Sequence, residues 1–449
     1  PRNHKHITQV DNQTIVSQAT PMGQSSIAVI RLSGPSSFNI AKKLTGTKKN
    51  RAHHEVALLL IKNNEGVDLD RGLFTFFISP NSYTGEDIVE ISCHGNQLVV
   101  GIIISRCIQL GARIAEPGEY TKRAFLNNKM SLSQAESVGA LISSKSEEAI
   151  RQNLKNIEGG SSKTVVSIKN SLVKALSNVE HELDVSEYEL FDDGIIKETA
   201  KLIENNILEC DNLLDSFAAG TAYSSGFRVV IVGKPNVGKS TLMNALVGID
   251  KSITSSEPGT TRDVVTHEVT LGGLPVTLLD TAGIRETRNE IEAEGVSRAT
   301  GEIDRASAIV SLFCHNIEPI ENTKLTSQIS VFTKCDLKKA KGSFHADVSV
   351  SAKTGSGIEK LKKLITKTLA GSVSHSGDVF INTERQRQSV LNCRQALLNS
   401  IEPLKNNEPL FEITAHEIRA AINYLSSFLG ETTTDEILDS VFSNFCVGK

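Results

Sequence analysis

The stretch "FRVVIVGKPNVGKS", residues 227–240, decides the reading of this chain. A β-branched run feeds a G-x-x-x-x-G-K-S turn from Gly233 to Ser240, and "TLMNALVG" continues it as a helix. A glycine-rich turn between strand and helix lets backbone N–H groups wrap phosphates. Lys239 then reaches the β/γ oxygens, and the Ser240 hydroxyl suits Mg²⁺. Strand before and helix after make a chance match a poor explanation.

Further pieces follow in chain order. "PVTLLDTAG" sets Asp280, Thr281, Ala282 and Gly283 at a strand end, where Asp280 suits the Mg²⁺ water shell and the Gly283 amide a γ-phosphate. "ISVFTKCD" ends a strand with Thr333, Lys334 and Asp336, and "VSVSAK" ends another with Ser351, Ala352 and Lys353. The Asp336 carboxylate can accept both the N1–H and the 2-amino group of guanine, a donor pair adenine lacks. These pieces define a GTP site: Asn236, Val237, Gly238, Lys239, Ser240 and Thr241 in the turn, and the three strand ends. The segment at 254–263, with Ser255, Ser256, Glu257, Pro258, Gly259, Thr260 and Thr261, is a candidate to complete it, where Thr260 or Thr261 can supply a second Mg²⁺ oxygen. Thr333 stands where N-K-x-D has Asn, so guanine selectivity should survive at lower affinity. No Gln follows Gly283 to orient water, as in Ras-type domains. Arg262 or Arg285 as a finger, or as a solvated switch residue, are equally open.

Outward from this core the chain changes character. Residues 227 to about 370 alternate strand and helix, the mark of a doubly wound sheet. Residues 1–118 read as mixed, with strands at "SIAVIRLSG", "EVALLLI", "GLFTFFIS" and "DIVEISCHG" and a helix over "QLVVGIIISRCIQLGA". Val165, Ile168, Leu172, Leu176, Val179 and Leu183 recur on one helix face, as do Ile196, Ile203, Ile207, Leu214 and Phe217. Ser131 and Gln134 have capping-box spacing. Helical stripes return at Ile418–Phe428 and at Ile437, Leu438, Val441, Phe442 and Phe445. The expected fold class is multidomain α+β and α/β: an N-terminal α+β domain at 1–118, a helical domain split between 119–218 and 379–449, and a Ras-like P-loop GTPase domain inserted at 219–378.

Composition limits the alternatives. The 449 residues carry a formal charge of −4, with 39% hydrophobic and 22% charged residues. That balance argues against a wholly basic nucleic-acid coat. Seven cysteines without metal spacing read as reduced thiols in an intracellular protein. The longest apolar run, residues 98–105, is too short to span a membrane. The chain begins with Pro1 rather than Met, which leaves upstream residues, including an organelle transit segment, open. Cys446 stands four residues from the end, but Gly448 and Lys449 do not fit a prenylation box.

The chain resembles the tRNA-modification GTPase family MnmE, also called TrmE, with its mitochondrial counterparts. The resemblance runs over nearly the full length. It is carried by "NQTIVSQATP" at 12–21, "SYTGEDIVEISCHG" at 82–95, "PGEYTKRAFLNNKMSLSQAE" at 117–136, "GKPNVGKSTLMNAL", "EPGTTRD", "DTAGIRE" and the terminal "FCVGK". It implies a dimerising, folate-binding N-terminal domain and a homodimer. It also implies a hetero-oligomer with a flavin- and NADH-dependent partner of the MnmG type. Together they add a (carboxymethyl)aminomethyl group to C5 of the tRNA wobble uridine, using 5-formyl- or 5,10-methylene-tetrahydrofolate, in the bacterial cytoplasm or, alternatively, the mitochondrial matrix. The resemblance puts K⁺ on Asn236, Ser255, Glu257 and Thr260, and Mg²⁺ on Ser240 and Thr261. The water-orienting acid falls on Glu292, and folate on Arg31, Glu90, Lys129 and Lys449.

Cys446 is either a nucleophile toward uridine or a small buried packing residue. His94 reads as a structural turn residue. "MGQSSIAV" lacks the family's glycine-rich stretch, and Asn96 replaces a Gly in "CHGN", which should alter the loop there. The amine donor and the choice of tRNA stay open. A second reading is a ribosome-assembly or RNA-binding switch GTPase. A basic RNA face in the first 118 residues would favour it, and the Lys and Arg of that region read as scattered.

Overall fold

The computed structural model describes residues 13–144, 146–185, 192–249, 266–280, 306–315, 317–319, 328–337, 345–372, 380–406, 408–443, 445, 446 and 448. They fall into two compact units, Pro1–Gly139 with Asn423–Lys449, and Ala140–Ile422.

The first unit is built on a six-stranded sheet: β1 Ile15–Gln18, β2 Ser25–Ser33, β3 Val56–Lys62, β4 Asp68–Phe77, β5 Ile88–Gly95 and β6 Arg113–Ile114. The strand order is β3-β4-β5-β2-β1-β6, antiparallel except for β1 against β6. Helices α1 Ser37–Thr45 and α2 Gln97–Gln109 cover the core face, where Ile30, Leu32, Phe74, Ile91, Ile40 and Ile103 are buried. The four strands and the helix expected here are present; β1, β6 and α1 are additions. Asn96 sits at φ −98°, ψ 122°, a conformation open to any residue, and its side chain accepts from Leu98 N at 2.9 Å. Its replacement of glycine therefore caps α2.

Helix α3, Glu119–Leu126, and the start of α4, Leu132–Ser143, complete this unit with the C-terminal residues. The capping box at α4 is reciprocal: Ser131 N donates to Gln134 Oε1 at 2.8 Å, and Gln134 N donates to Ser131 Oγ at 3.2 Å.

The second unit holds the long helices and the other sheet. Helices α5 Glu147–Ile157, α6 Gly160–Val185 and α7 Asp193–Ser225 lead to β7 Phe227–Gly233 and α8 Lys239–Ile249. After β8 Thr266–Leu271 and β9 Leu274–Asp280 come β10 Ala308–Phe313, β11 Gln328–Phe332, β12 Val348–Ser349 and α9 Ile358–Ser372. The order is β12-β11-β10-β7-β9-β8, parallel except for β8. Strand β7 is buried on both faces: Phe227, Val229 and Ile231 join the core with α8 and α9, while Val230 and Val232 pack with Leu279 and Ile309. That double burial explains its unbroken apolar run.

Helix α10, Glu384–Lys405, follows the sheet and lies on α7, which precedes it. Cys210 Sγ and Cys393 Sγ are 4.0 Å apart, Arg394 pairs with Asp211, and Lys405 Nζ meets Glu204 at 2.6 Å. The α/β segment thus lies in sequence between two paired helices. On α7 the buried stripe is Ile203, Ile207, Cys210 and Leu213, so the face turns by one residue from the expected Leu214. Helix α11, Phe411–Leu429, buries Ile418, Ala421, Leu425 and Phe428, as its stripe predicts. No helix among the described residues is long and apolar enough to cross a membrane.

Candidate functional site

The loop between β7 and α8 is fastened from within and from the side. Lys239 Nζ donates to the carbonyls of Gly233, 2.9 Å, and Lys234, 3.3 Å. Lys334 Nζ donates to Asn236 O at 2.7 Å. The buried Thr333 hydroxyl lies 2.6 Å from Val237 O and 3.1 Å from Phe313 O, as their donor. Four carbonyls from Gly233 to Val237 are therefore held by side chains ahead of a helix, an arrangement suited to presenting N–H groups to an anion. Asn236 adopts φ +65°, a left-handed conformation that Asn tolerates, and its side chain is exposed.

Thr333 is not free to face a base; it ties the loop to the end of β10 instead. That is the physical content of its departure from N-K-x-D. Lys334, at φ +58°, carries its chain beside Gly238. Asp336 is exposed, and Cys335 N donates to Val350 O at 3.2 Å. This bond brings the Thr333–Asp336 turn against the turn carrying Ser351, Ala352 and the exposed Lys353. Ser351 Oγ accepts from Thr354 N at 3.3 Å, shaping that second turn. Asp280 ends β9 and pairs in register with Ile231 of β7, two residues before Gly233. Ser240 and Thr241 are exposed in the first turn of α8. Ser255, Ser256, Glu257, Pro258, Gly259, Thr260, Thr261, Arg262, Thr281, Ala282, Gly283, Arg285, Glu292 and Lys449 lie outside the described residues.

The N-terminal unit assembles its site differently. Arg31 of β2 and Glu90 of β5 are cross-strand partners, with Arg31 Nη2 2.7 Å from Glu90 Oε1. The Arg31 Nη1 also donates to Gly448 O at 3.1 Å, and its guanidinium stands 5.5 Å from the Tyr120 ring and 6.0 Å from the Tyr83 ring. Tyr120 donates to the Arg31 carbonyl at 2.7 Å. Burial pushes both phenols up, which keeps them neutral donors. The Lys129 ammonium donates to Pro80 O at 2.9 Å, and its stem passes Gly85.

Beneath this pair lies a buried charge network. Arg123, 2% exposed, donates to Glu119 at 2.9 Å, to Glu86 at 3.0 Å and to the Gln13 carbonyl at 2.9 Å. Arg113 grips both Glu119 oxygens, at 2.6 and 2.7 Å. Burial alone would raise the Glu119 carboxyl, but Arg113, the Glu116 N–H and Arg123 together hold it below its ordinary value. Sequence reasoning missed this network and the two tyrosines. All except Arg113 stand inside "SYTGE" and "PGEYTKR", and alternating charge in those motifs was the available signal.

The C-terminal residues reach the same place. Helix α12, Asp435–Phe442, buries Leu438 and Phe442 against Leu132 and Ala135, with Phe445 packed alongside. Gly448 is buried at φ +102°, and a Cβ there would stand 2.6 Å from Gln18 O. Only glycine passes β1 so closely. Cys446 is exposed among the described residues. His94 lies within β5 rather than in the turn expected of it, and its exposed ring stands with Nδ1 2.7 Å from Asp70 Oδ1.

Comparison with known proteins agrees over the whole chain. Residues 132–446 match the family described as MnmE helical domain, and residues 14–129 match GTP-binding protein TrmE N-terminus. The tRNA modification GTPase MnmE of Thermotoga petrophila is 37% identical over 97% of this chain and 100% of its own. That of Nitrosomonas eutropha is 34% identical over 98% and 100%, and that of Aquifex aeolicus 34% over 97% and 100%. The G domain of the T. maritima FeoB iron transporter aligns over 32% of this chain and 98% of its own at 24% identity, with a TM-score of 0.24, too low to bear on the fold. A P-loop between paired helices, an Arg31–Glu90 site sealed by the C-terminal glycine, and kinship from end to end converge: the chain belongs to the MnmE, or TrmE, family.

Proposed function

We propose that this chain is a GTP hydrolase acting in tRNA modification. The observation that carries the reading is the β7–α8 loop, held by Lys239, Thr333 and Lys334, in a chain related to tRNA modification GTPases along its length. The exposed loop face and Thr241 receive the phosphates, and Lys239 turns its ammonium from its own carbonyls to the β/γ oxygens. Asp336 accepts from guanine N1–H and its 2-amino group, between the turns of Lys334 and of Ser351 to Lys353.

The Ser240 hydroxyl, with Thr261, would offer the hard oxygen donors that Mg²⁺ selects, and Asp280 suits the water shell of the ion. Asn236, Ser255, Glu257 and Thr260 would hold K⁺; the described member, Asn236, has an exposed amide beside the phosphate loop, which fits. Bound there, the cation supplies the positive charge that an arginine finger supplies elsewhere. Glu292 positions the attacking water.

In the N-terminal unit Glu90 offers an acceptor and Arg31 a cation beside two tyrosine rings. These suit the amino and ring N–H groups of a pterin and the carboxylates of its tail. Lys129 and Lys449 extend that charge toward 5-formyl- or 5,10-methylene-tetrahydrofolate. Cys446, exposed on the tail, is the nucleophile candidate for the uridine ring. The working form is a homodimer with a flavin- and NADH-dependent partner and tRNA, in the bacterial cytoplasm or a mitochondrial matrix.

The test combines two readouts. GTP turnover is compared in KCl and NaCl at equal ionic strength, with an expected gain of tenfold or more in KCl; equal rates remove the K⁺ assignment. Mass analysis of tRNA nucleosides, after reaction with the flavin partner and a one-carbon tetrahydrofolate, should reveal a modified wobble uridine. Unmodified uridine there removes the tRNA reading.

A further inference from the structure

Residues 42–55, "KKLTGTKKNRAHHE", carry five Lys or Arg and one Glu, a formal +4 in a chain of −4. The N-terminal cations are therefore clustered, contrary to the sequence expectation. They run from the last turn of α1 to the start of β3 and rim a cavity of about 140 Å³ lined by Phe38, Phe76, Lys42, Lys49, Asn50 and Arg51. Arg51 is braced: its guanidinium lies 5.9 Å from the Phe76 ring, and Nη1 donates to Glu55 at 2.7 Å. Its Nε is buried and has no hydrogen-bond partner among the described residues. Buried guanidinium donors are ordinarily satisfied, so this one calls for an acceptor that the described residues do not provide. Lys42 is held by Asn50 and Lys49 Nζ stands 3.3 Å from Glu55, while Lys43, Lys48 and Lys49 are exposed around the cavity.

We propose that this face binds the phosphate backbone of an RNA, with one phosphodiester seated at Arg51 and others met by Lys43, Lys48 and Lys49. The proposal rests on the tRNA reading for the identity of the RNA. The spread of cations beyond the cavity fits a polyanion better than a single free phosphate. Residues 42–55 include no exposed large apolar side chain, and the nearest in sequence, Val56 and Leu58, follow on β3 outside the lysine segment, whereas a lipid surface would call for apolar insertion among the lysines. A stacking platform lies beside them. His53 and His54 rings stack at 3.8 Å, and His54 meets Phe77 at 5.5 Å. His53 Nδ1 accepts from Ile78 N at 3.0 Å, which fixes its ring, and His54 is exposed to an unpaired base.

The test titrates labelled tRNA into the full chain, without nucleotide, by fluorescence anisotropy across a range of KCl. The variant Lys43→Ala/Lys48→Ala/Lys49→Ala changes only exposed side chains. It should weaken tRNA binding about tenfold or more and flatten the slope of log affinity against log salt by about two, since each lost phosphate contact removes about 0.7–0.9. Its GTP turnover should match wild type. Unchanged affinity and slope overturn the proposal, as does wild-type binding to phosphatidylserine vesicles with none to tRNA. Competition by inorganic phosphate as strong as by tRNA also overturns it, by reducing the face to a single-anion site. A wild-type chain that fails to hydrolyse GTP sinks the parent reading instead, and this titration still decides the RNA face.

Discussion

The two sites of this chain are built by opposite means. The phosphate loop is a contiguous segment between β7 and α8, completed by Thr333 and Lys334 from a neighbouring strand end. The N-terminal site joins residues 59 and 417 positions apart, Arg31 to Glu90 and Arg31 to the Gly448 carbonyl. A contiguous loop depends on local backbone geometry and survives small changes elsewhere. A site made by cross-strand register and a docked terminus depends on the whole unit's packing. Substitutions below the N-terminal site should therefore act through stability, and substitutions at the phosphate loop through turnover.

The largest expected effect tests the first half of that contrast. Arg123→Ala leaves the buried Glu119 with Arg113 alone and the half-buried Glu86 without its cation, which should cost about 3 kcal/mol. Urea unfolding followed by tyrosine fluorescence measures it, and a loss under about 1 kcal/mol would break the comparison. Acid should act on the same network. Because Glu119 is held below its ordinary 4.5, its contribution is present above that value and disappears as pH falls through the lowered one. The wild-type unfolding midpoint should therefore drop below pH 4.5, and less so in Glu119→Gln.

Glu292→Ala tests the second half. Turnover should fall about 10²-fold with GTP binding and the unfolding midpoint intact, the scale of a positioned acid–base group. Near-wild-type turnover would make Glu292 a solvated acid.

Deleting Gly448 and Lys449 comes next in size. It removes the Gly448 acceptor from Arg31 and, with it, the cation that the proposed folate site assigns to Lys449, an expected loss of about 1–3 kcal/mol in calorimetric affinity for 5-formyl-tetrahydrofolate, with GTP turnover unchanged. Gly448→Ala should reproduce part of it through the close approach to Gln18. Unaltered folate affinity in both would take the tail out of the site.

The smallest effect sharpens the contrast inside the phosphate loop. Thr333→Val strips the donor from Val237 O and should weaken guanine nucleotide binding by about 1 kcal/mol, while the preference for guanine over adenine persists through Asp336. A collapse of that preference would move base reading onto Thr333.

What the sequence by itself determined follows from locality. A β-branched run, a glycine turn and a capped helix are specified by neighbours, so the P-loop, its strand ends, the Ser131–Gln134 cap and the helical stripes were all legible. The family resemblance named Arg31 and Glu90, but no spacing placed them opposite each other; register did. Tertiary structure alone decided that Thr333 faces Val237 rather than a base, that Asn96 caps α2, and that Lys129 turns to Pro80. It alone gathered Glu86, Arg113, Glu119 and Arg123 into one buried network, and drew the lysines of residues 42–49 around Arg51. The reason is physical: a buried charge is tolerable only with partners at hydrogen-bond distance, and those partners come from distant segments that the fold brings together.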